Sequence, residues 1–231
     1  MLRLAPILIA VAVGLVMYLF SANRLKRDLD RKSSRLSDPI LNALTARMAQ
    51  ELGVKEVPVY VYEIEPVNGL AAPDGRVFIT RGFLRKYQSG AVSAAELSSV
   101  IAHELGHVAL GHARRRMIDF SAQNAIRVVL TMVIGRLVPV VGPWIAQGLV
   151  TLLTATLSRQ DEFEADAYAA ALLTKAGIGV APQIALFEKL DRMTGMGGQG
   201  GPVWLSSHPQ TEKRIAALRR LEAGWTTARE G

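Results

Sequence analysis

The chain of 231 residues contains no cysteine. This absence excludes disulfide bonds, cysteine-based zinc fingers and a lipid-modified cysteine, and it leaves the cellular compartment open. Aromatic residues make up only 6% of the chain, and the sequence has neither a helix-turn-helix signature nor an aromatic-basic platform for RNA. The net charge of +7 therefore does not indicate a nucleic-acid partner. Its basic residues cluster beside an apolar N-terminal run and at 114–116, which favours contact with anionic lipid head groups.

Charged residues are missing from residues 4–20, a run at the short end of what crosses a hydrocarbon core of roughly 30 Å. We predict a single transmembrane anchor over residues 1–23, in the cell (inner) membrane. A cleaved signal peptide is the alternative, but cleavage after Ala22 would place the bulky Phe20 where a small residue is needed. Basic residues between Arg24 and Arg35 favour a cytoplasmic position for the following domain, although a long domain translocates regardless of such charges.

The rest of the chain is predicted to form a charged stalk over residues 24–37, one globular domain over residues 38–224 and a tail over residues 225–231. Asp38 and Pro39 begin a helix that ends near Gly53. Residues 57–64 and 76–80 are predicted strands, and a turn signal between them predicts a small antiparallel sheet. Further helices are predicted over residues 161–175, 182–193 and 208–223, with a glycine-rich loop at 195–201.

Residues 127–157 are strongly apolar, but Pro139, Gly142, Pro143 and Gly148 interrupt them. A buried helical hairpin, or one lying in the membrane interface, is the favoured interpretation. Helices that span the bilayer are the alternative.

A capping box of Ser93 and Glu96 begins a helix predicted to run to about Arg116, and this helix carries His103, Glu104 and His107. Histidines four residues apart lie on one helix face, so that both imidazoles reach one metal ion. Glu104 is offset by about 100° and remains close enough to accept a proton from a metal-bound water. The pattern predicts one catalytic Zn²⁺ per chain. The alternative, two ordinary polar histidines on a half-exposed helix, is disfavoured by the helical context.

A catalytic zinc needs a third protein ligand, and Glu162 is the candidate. It lies on an alanine-rich helix with Asp166 one turn later, and small neighbours would permit close approach to the histidine helix. Asp166 is then expected to accept a hydrogen bond from one zinc histidine. An exposed acidic helix end is the competing interpretation. Glu164 points to another face, and His112 is expected to be an ordinary surface residue.

Three motifs occur in order: HELGH at residues 103–107, SRQDEFEAD at 158–166 and SHPQTEKRI at 207–215. Together they resemble the membrane zinc metallopeptidases of the HtpX, BepA and CAAX prenyl protease type, and the resemblance extends over about residues 39–221. It implies an α+β, mainly α-helical zincin-type domain with a small antiparallel sheet and an N-terminal transmembrane helix. Glu162 is implied as the third zinc ligand, with Asp166 in support.

The resemblance also implies an active-site role for His208, which would stabilise the oxyanion or occupy the open zinc position, with Arg214 as its partner. By themselves, these two residues would be interpreted as a helix cap and a solvated charge. A substrate-binding strand is implied, loosely, at Asn68, Gly69, Leu70 and Ala71. Some family members act in the periplasm, which opposes the cytoplasmic placement favoured by the flanking charges.

Two classes of function follow. In the first, the chain is a zinc metalloendopeptidase of protein quality control, cleaving misfolded or membrane-associated polypeptides with water activated by Glu104. In the second, it is a membrane-tethered binding protein in which His208 completes a closed, structural-type zinc site. The intact Glu104 favours the enzyme, because a structural site has no need of a base. The expected partners are polypeptides and the lipid bilayer; the oligomeric state is open.

Overall fold

A computed structural model describes residues 5–72, 74–112, 115, 142–195, 208 and 211–230. The described helices are α1 (Ala5–Lys32), α2 (Pro39–Glu51), α3 (Arg81–Gln88), α4 (Ala94–Ala109), α5 (Gly142–Lys175), α6 (Ala181–Gly195) and α7 (Thr211–Glu230). The described strands are β1 (Ser33–Arg35), β2 (Val59–Tyr62), β3 (Gly69–Ala71) and β4 (Val77–Thr80). The chain divides into two compact units, Met1–Arg31 with Gly111–Gln160, and Lys32–Leu110 with Asp161–Gly231.

In the first unit, α1 exposes large apolar side chains, with Leu15, Val16, Leu19 and Phe20 each between 50% and 68% accessible. Among the helices of the described residues, none has the length and apolar character needed to cross a bilayer. The first half of the predicted hairpin segment, residues 127–141, lies outside the described residues, while residues 142–157 form the beginning of α5. The predicted glycine-rich loop also lies outside them from residue 196 onward.

The second unit contains a four-stranded sheet in the order β1-β2-β4-β3. The prediction of an antiparallel sheet is wrong in one pairing, because β2 and β4 run parallel, with Val59 opposite Val77. The turn before β4 connects it to β3, which pairs antiparallel with β4 through Gly69 and Ile79. The strand before that turn is therefore β3 rather than β2, and the sheet is mixed.

The end of the predicted stalk belongs to this sheet. Residues 33–35 form β1, which pairs antiparallel with β2, and the backbone N–H of Leu36 donates to Val59 O at 2.9 Å. Leu36 is 6% exposed and joins the apolar core. A charged segment without an apolar face can still serve as an edge strand, because strand pairing needs only its backbone groups.

Side-chain caps fix the beginnings of three helices. Asp38 accepts from the backbone N–H of Leu41 at 2.9 Å, as predicted for α2. Thr80 caps α3, a helix that the sequence analysis did not predict. The predicted capping box begins α4, where Glu96 accepts from the backbone N–H of Ser93 at 2.7 Å. This helix ends at Ala109, earlier than predicted.

The main core lies between the sheet and α6, and α4 crosses its centre. Leu97, Val100 and Ile101 of α4 are at most 1% exposed. They belong to one apolar cluster with Val59, Val61, Val77 and Ile79 from the sheet and Leu186, Phe187 and Leu190 from α6. The helix with the histidine motif is therefore held on several sides, which fixes the direction of its polar residues.

Candidate metal centre

Helix α4 buries the three polar residues of its motif. His103, Glu104 and His107 are each at most 2% exposed, although their type is normally found at the surface. The Nε2 atoms of the two histidines lie 3.1 Å apart, and their rings are nearly perpendicular at 88°. Both imidazoles therefore present the same nitrogen to one point, as the spacing of four residues predicts.

Helix α5 brings Glu162 to that point. Its Oε2 lies 3.4 Å from Nε2 of His103, and its Oε1 lies 3.5 Å from Nε2 of His107. Gly106 makes the approach possible, because a Cβ atom there would lie 2.9 Å from the backbone oxygen of Ala165. The predicted close contact between the two helices thus depends on the missing side chain of Gly106 as well as on the alanines of α5.

His208 completes a group of four. Its Nδ1 lies 2.6 Å from Oε2 of Glu162 and 3.3 Å from Nε2 of His103. One ligand atom from each of His103, His107, Glu162 and His208 lies within 4.8 Å of all the others, and all four residues are buried. Glu164, the weaker candidate, is not part of this group.

Asp166 and Arg214 form a buried pair behind the cluster. The guanidinium donates from Nε to Oδ2 of Asp166 at 2.6 Å and from Nη2 to Oδ1 at 2.7 Å. Oδ1 of Asp166 also lies 2.9 Å from Nδ1 of His103, while Nη1 of Arg214 donates to the backbone oxygen of His208 at 3.0 Å. Nη1 of Arg214 also lies 3.4 Å from Oε2 of Glu162, so the pair contacts three members of the cluster, His103 and Glu162 by their side chains and His208 by its backbone.

Glu104 lies beside the cluster with an oxygen that is buried. In the described part of the chain, no group donates a hydrogen bond to its Oε1, and the nearest histidine nitrogen, Nε2 of His208, is 3.6 Å away. The opposite side is bounded by β3, where a Cβ atom on Gly69 would lie 3.2 Å from Oε1. A buried carboxylate oxygen that accepts no hydrogen bond from the described residues calls for a further donor.

The electrostatics of the cluster put Glu162 and His107 in the forms that bind a metal ion and leave a proton on His103 at pH 7, which a metal ion would displace. Burial would raise the pKa of Glu162, but its hydrogen bonds with three histidines outweigh burial and hold that pKa far below its ordinary value. Burial lowers the pKa of His107 to about 4, so that its imidazole is neutral at pH 7. For His103, burial is outweighed by the carboxylates of Asp166 and Glu162, which raise its pKa to about 9. Burial would also raise the pKa of Asp166, but Arg214 keeps it lowered.

Donor chemistry and geometry both fit a metal ion. Imidazole nitrogens and a carboxylate oxygen are the donors that zinc prefers, and the buried carboxylate supplies negative charge to offset that of the cation. The Oε1 atom of Glu104 is positioned next to this donor set without a hydrogen bond from the described residues. The residues present therefore fit a catalytic metal site better than a hydrogen-bonded core.

The structure brings together His103, Glu104, His107, Glu162, Asp166, His208 and Arg214, and it places the predicted strand residues 69–71 in β3. Asn68 precedes that strand and exchanges hydrogen bonds with Thr80. His112 is fully buried rather than exposed, so its surface assignment was wrong. The sequence analysis missed Gln183, which donates to Asp166 at 3.2 Å, because one glutamine in an amphipathic helix carries no motif.

Comparison with known proteins identifies the family. The family described as Peptidase family M48 matches residues 35–222, which include all the residues of the cluster. Metalloprotease YcaL of Escherichia coli is 30% identical over 78% of this chain and 69% of its own length. Protease HtpX of Nitrosococcus oceani is 32% identical over 75% of this chain and 67% of its own length.

The human metalloendopeptidase OMA1, mitochondrial, is 25% identical over 71% of this chain. The chain spans only 32% of the length of that relative, and 40% of its counterpart from Danio rerio. The family match over residues 35–222 contains all four residues of the cluster, His103, His107, Glu162 and His208. With a family match over most of its residues, the chain belongs to peptidase family M48.

Proposed function

We propose that the chain is a zinc-dependent metalloendopeptidase that cleaves misfolded or membrane-associated polypeptides. The observation that carries this proposal is the burial of the Glu104 carboxylate beside the cluster of His103, His107 and Glu162. Zinc held by these three residues would polarise a peptide carbonyl and make water acidic enough to attack it at neutral pH. The substrate class follows from the family resemblance and the predicted anchor.

Glu104 is the proposed general base. Its Oε1 is buried next to the cluster, and in the described part of the chain no protein donor occupies it. The carboxylate would take a proton from the attacking water and then donate it to the leaving amine. One side chain thereby serves both proton transfers of peptide hydrolysis.

Asp166 and Arg214 are proposed to orient the residues around the cluster. Nδ1 of His103 lies 2.9 Å from Oδ1 of Asp166, and in the neutral, metal-binding imidazole a proton on Nδ1 would leave the lone pair of Nε2 directed at the metal position. Arg214 holds the backbone of His208, whose Nε2 lies on the Glu104 side. His208 would donate from there to the oxyanion that develops on the substrate carbonyl.

Strand β3 is the proposed substrate-binding edge. It is the last strand in the sheet order, and Asn68 and Ala72 use their backbone groups toward β4. By the alternation of an antiparallel ladder, the backbone N–H and C=O groups of Gly69 and Ala71 point away from β4. An extended peptide paired with this edge would pass close to Glu104 and would be held mainly through its main chain.

The test compares the purified protein with Glu104→Gln. We expect about one zinc per chain in both and casein cleavage only in the unmodified protein, because glutamine keeps the shape but not the basicity. Absence of zinc from both proteins would overturn the proposal, and so would equal cleavage by both. Removal of zinc by a chelator is expected to abolish cleavage, and added zinc to restore it.

A second candidate function is favoured by the position of His208. One of its ring nitrogens lies within 4.8 Å of a ligand atom of each of the other three residues, so all four are close enough to share one ion. Four protein ligands would close the zinc site, as in structural sites, and the chain would then be a binding protein or a latent peptidase. The two candidates predict opposite effects of removing His208.

We further propose that residues 1–23 attach the chain to a membrane. The support is the row of exposed apolar side chains on α1, Leu15, Val16, Leu19 and Phe20, followed directly by basic residues. The apolar side chains would enter the acyl layer of an anionic bilayer, and the lysine and arginine side chains would contact its head groups. We expect the full chain to float with anionic vesicles in a density gradient, and a chain that begins at residue 24 to remain at the bottom.

A further inference from the structure

Helix α6 places a buried glutamine against the Asp166–Arg214 pair. Gln183 is 1% exposed, and its Nε2 donates to Oδ1 of Asp166 at 3.2 Å. Its Oε1 is buried and accepts no hydrogen bond within the described residues. Burial of an amide with one of its polar groups unsatisfied costs free energy. A glutamine kept at this buried position therefore needs a compensating role, and its hydrogen bond to Asp166 is the candidate.

That hydrogen bond connects Gln183 to the cluster through Asp166. The oxygen that accepts from Gln183 is the same atom that lies 2.9 Å from Nδ1 of His103. Arg214 also donates to this oxygen, and it holds the second oxygen from Nε. The two donors come from α6 and α7 and the His103 contact from α4, so the Asp166 carboxylate is in contact with three helices.

Phe187 supports the same pair from one turn further along α6. The Cζ atom of Arg214 lies 4.5 Å from the centre of the Phe187 ring, within the range of a cation–π contact. Residues four apart share a helix face, so Gln183 and Phe187 form a single surface under Asp166 and Arg214. Gln183 contacts the carboxylate of Asp166, and Phe187 contacts the guanidinium of Arg214.

Helix α6 is held against α4 by apolar contacts and by one ion pair. Leu186 and Leu190 are at most 1% exposed in the core that includes α4. Lys189 donates from Nζ to Oε2 of Glu96 at 2.8 Å, at the beginning of α4. Helix α6 and the histidine helix are therefore packed directly against each other, which places Gln183 on the same side of α4 as the core.

We infer that Gln183 is a positioning residue for the metal ligand His103, acting through Asp166. The inference rests on the proposed metal site and extends it to a residue with no contact to the ligands. A carboxylate held in one orientation keeps the Nδ1–H of His103 as its partner and Nε2 directed at the metal position. Without the amide, Asp166 keeps Arg214 but loses the donor that fixes Oδ1 from the side of α6.

The test measures zinc affinity by competition with a chromophoric chelator, for the unmodified protein, Gln183→Leu and Gln183→Glu. We expect Gln183→Leu to bind zinc about tenfold more weakly, at the low end of the effect of partners that touch a ligand directly. Gln183→Glu should bind more weakly still, because it places a second carboxylate against Asp166. The matched control is Gln50→Leu, the same change at an exposed position of α2, which should leave the affinity unchanged.

Activity separates positioning from a general structural role. If Gln183 positions His103, casein cleavage by Gln183→Leu falls at limiting zinc and returns to near the unmodified level at saturating zinc. Zinc affinity equal to that of the unmodified protein would overturn the inference. So would a loss of cleavage that saturating zinc does not restore. Gln183→Met, which keeps the chain length, replaces the leucine variant if that variant does not fold.

The two proposals fail in distinguishable ways. If the unmodified protein binds no zinc, the proposed function fails and this inference fails with it. If the unmodified protein binds zinc and Gln183→Leu binds it equally well, only the role of Gln183 is wrong.

Discussion

Arg214 and Asp166 are joined by two parallel hydrogen bonds, of 2.6 and 2.7 Å, with both residues at most 2% exposed. Removal of one partner of a buried pair leaves the other charge without compensation, which costs about 3–5 kcal/mol. We therefore expect Arg214→Met to lower the free energy of unfolding by about that amount and to weaken zinc binding, as measured by urea unfolding and chelator competition.

Arg219→Met is the matched control on the same helix. Arg219 pairs with Glu188 at 2.8 Å, but its side chain is 62% exposed. Such a pair contributes at most about 1 kcal/mol. Equal losses in the two variants would contradict the special role of the buried pair.

Gly106→Ala tests the close contact between α4 and α5. The added Cβ would lie 2.9 Å from the backbone oxygen and 3.0 Å from the Cα atom of Ala165, so α5 has to shift away. Overpacking of this kind costs about 1–3 kcal/mol, and the shift should carry Glu162 away from the histidines and weaken zinc binding.

Gly224→Ala is its control, because a Cβ atom at that position of α7 meets nothing within 4 Å. Alanine in an unhindered helix position should be neutral or stabilising by about 0.5–1 kcal/mol. If Gly106→Ala kept both the stability and the zinc affinity of the unmodified protein, the contact would have no role in forming the cluster.

His208→Ala distinguishes the enzyme from the closed site. Under the proposed function, His208 stabilises the developing oxyanion, and its loss should lower kcat for casein by about 10²- to 10³-fold while zinc is retained. Increased cleavage would show instead that His208 closes the site. Zinc content, measured on the same samples, separates either result from simple loss of the metal.

Glu96→Gln should change how stability depends on pH. Burial would raise the pKa of Glu96, but the hydrogen bond from Lys189 and that from the backbone of Ser93 hold it below its ordinary value of 4.5. The carboxylate therefore stabilises the fold fully above pH 4.5, and this contribution fades as pH falls through the lowered folded-state value. Near pH 7 the variant should be less stable by about 1–2 kcal/mol.

The comparison is made by urea unfolding near pH 7 and near pH 3.5, where the two proteins should become more alike. A difference in unfolding free energy that is the same at both pH values would exclude a charge-based role for Glu96. In that case only its shape and neutral hydrogen bonding would matter at the beginning of α4.

Local signals allowed most of the helices, but not α3, and most of the site to be predicted. The cap at Asp38 and the capping box at Ser93 involve residues within one turn, so the sequence contains both partners. The same holds for the spacing of His103 and His107. His208 and Arg214 needed the family resemblance, because neither has a local partner that marks it as buried.

Features that depend on distant partners were not predictable in this way. The turn signal before β4 was recognised, but the strand it connects has only three residues and no regular apolar pattern. The parallel pairing of β2 with β4 is possible because the chain passes through β3, at the edge beyond β4, before it enters β4. Burial of His112 and Gln183 likewise depends on which elements cover them rather than on their own neighbours in sequence.

The members of the cluster are far apart along the chain: His103 and His208 are 105 residues apart, and Asp166 and Arg214 are 48. Synthesis proceeds from the N-terminus, so a growing chain displays the histidine helix well before Arg214 has been made. The ligands then lack the pair that orients them, and the loops that must close are long, which makes their closure a late event in folding. A growing chain that lacks α7 would therefore hold its zinc ligands without Arg214, and we expect it to bind zinc more weakly than the finished chain.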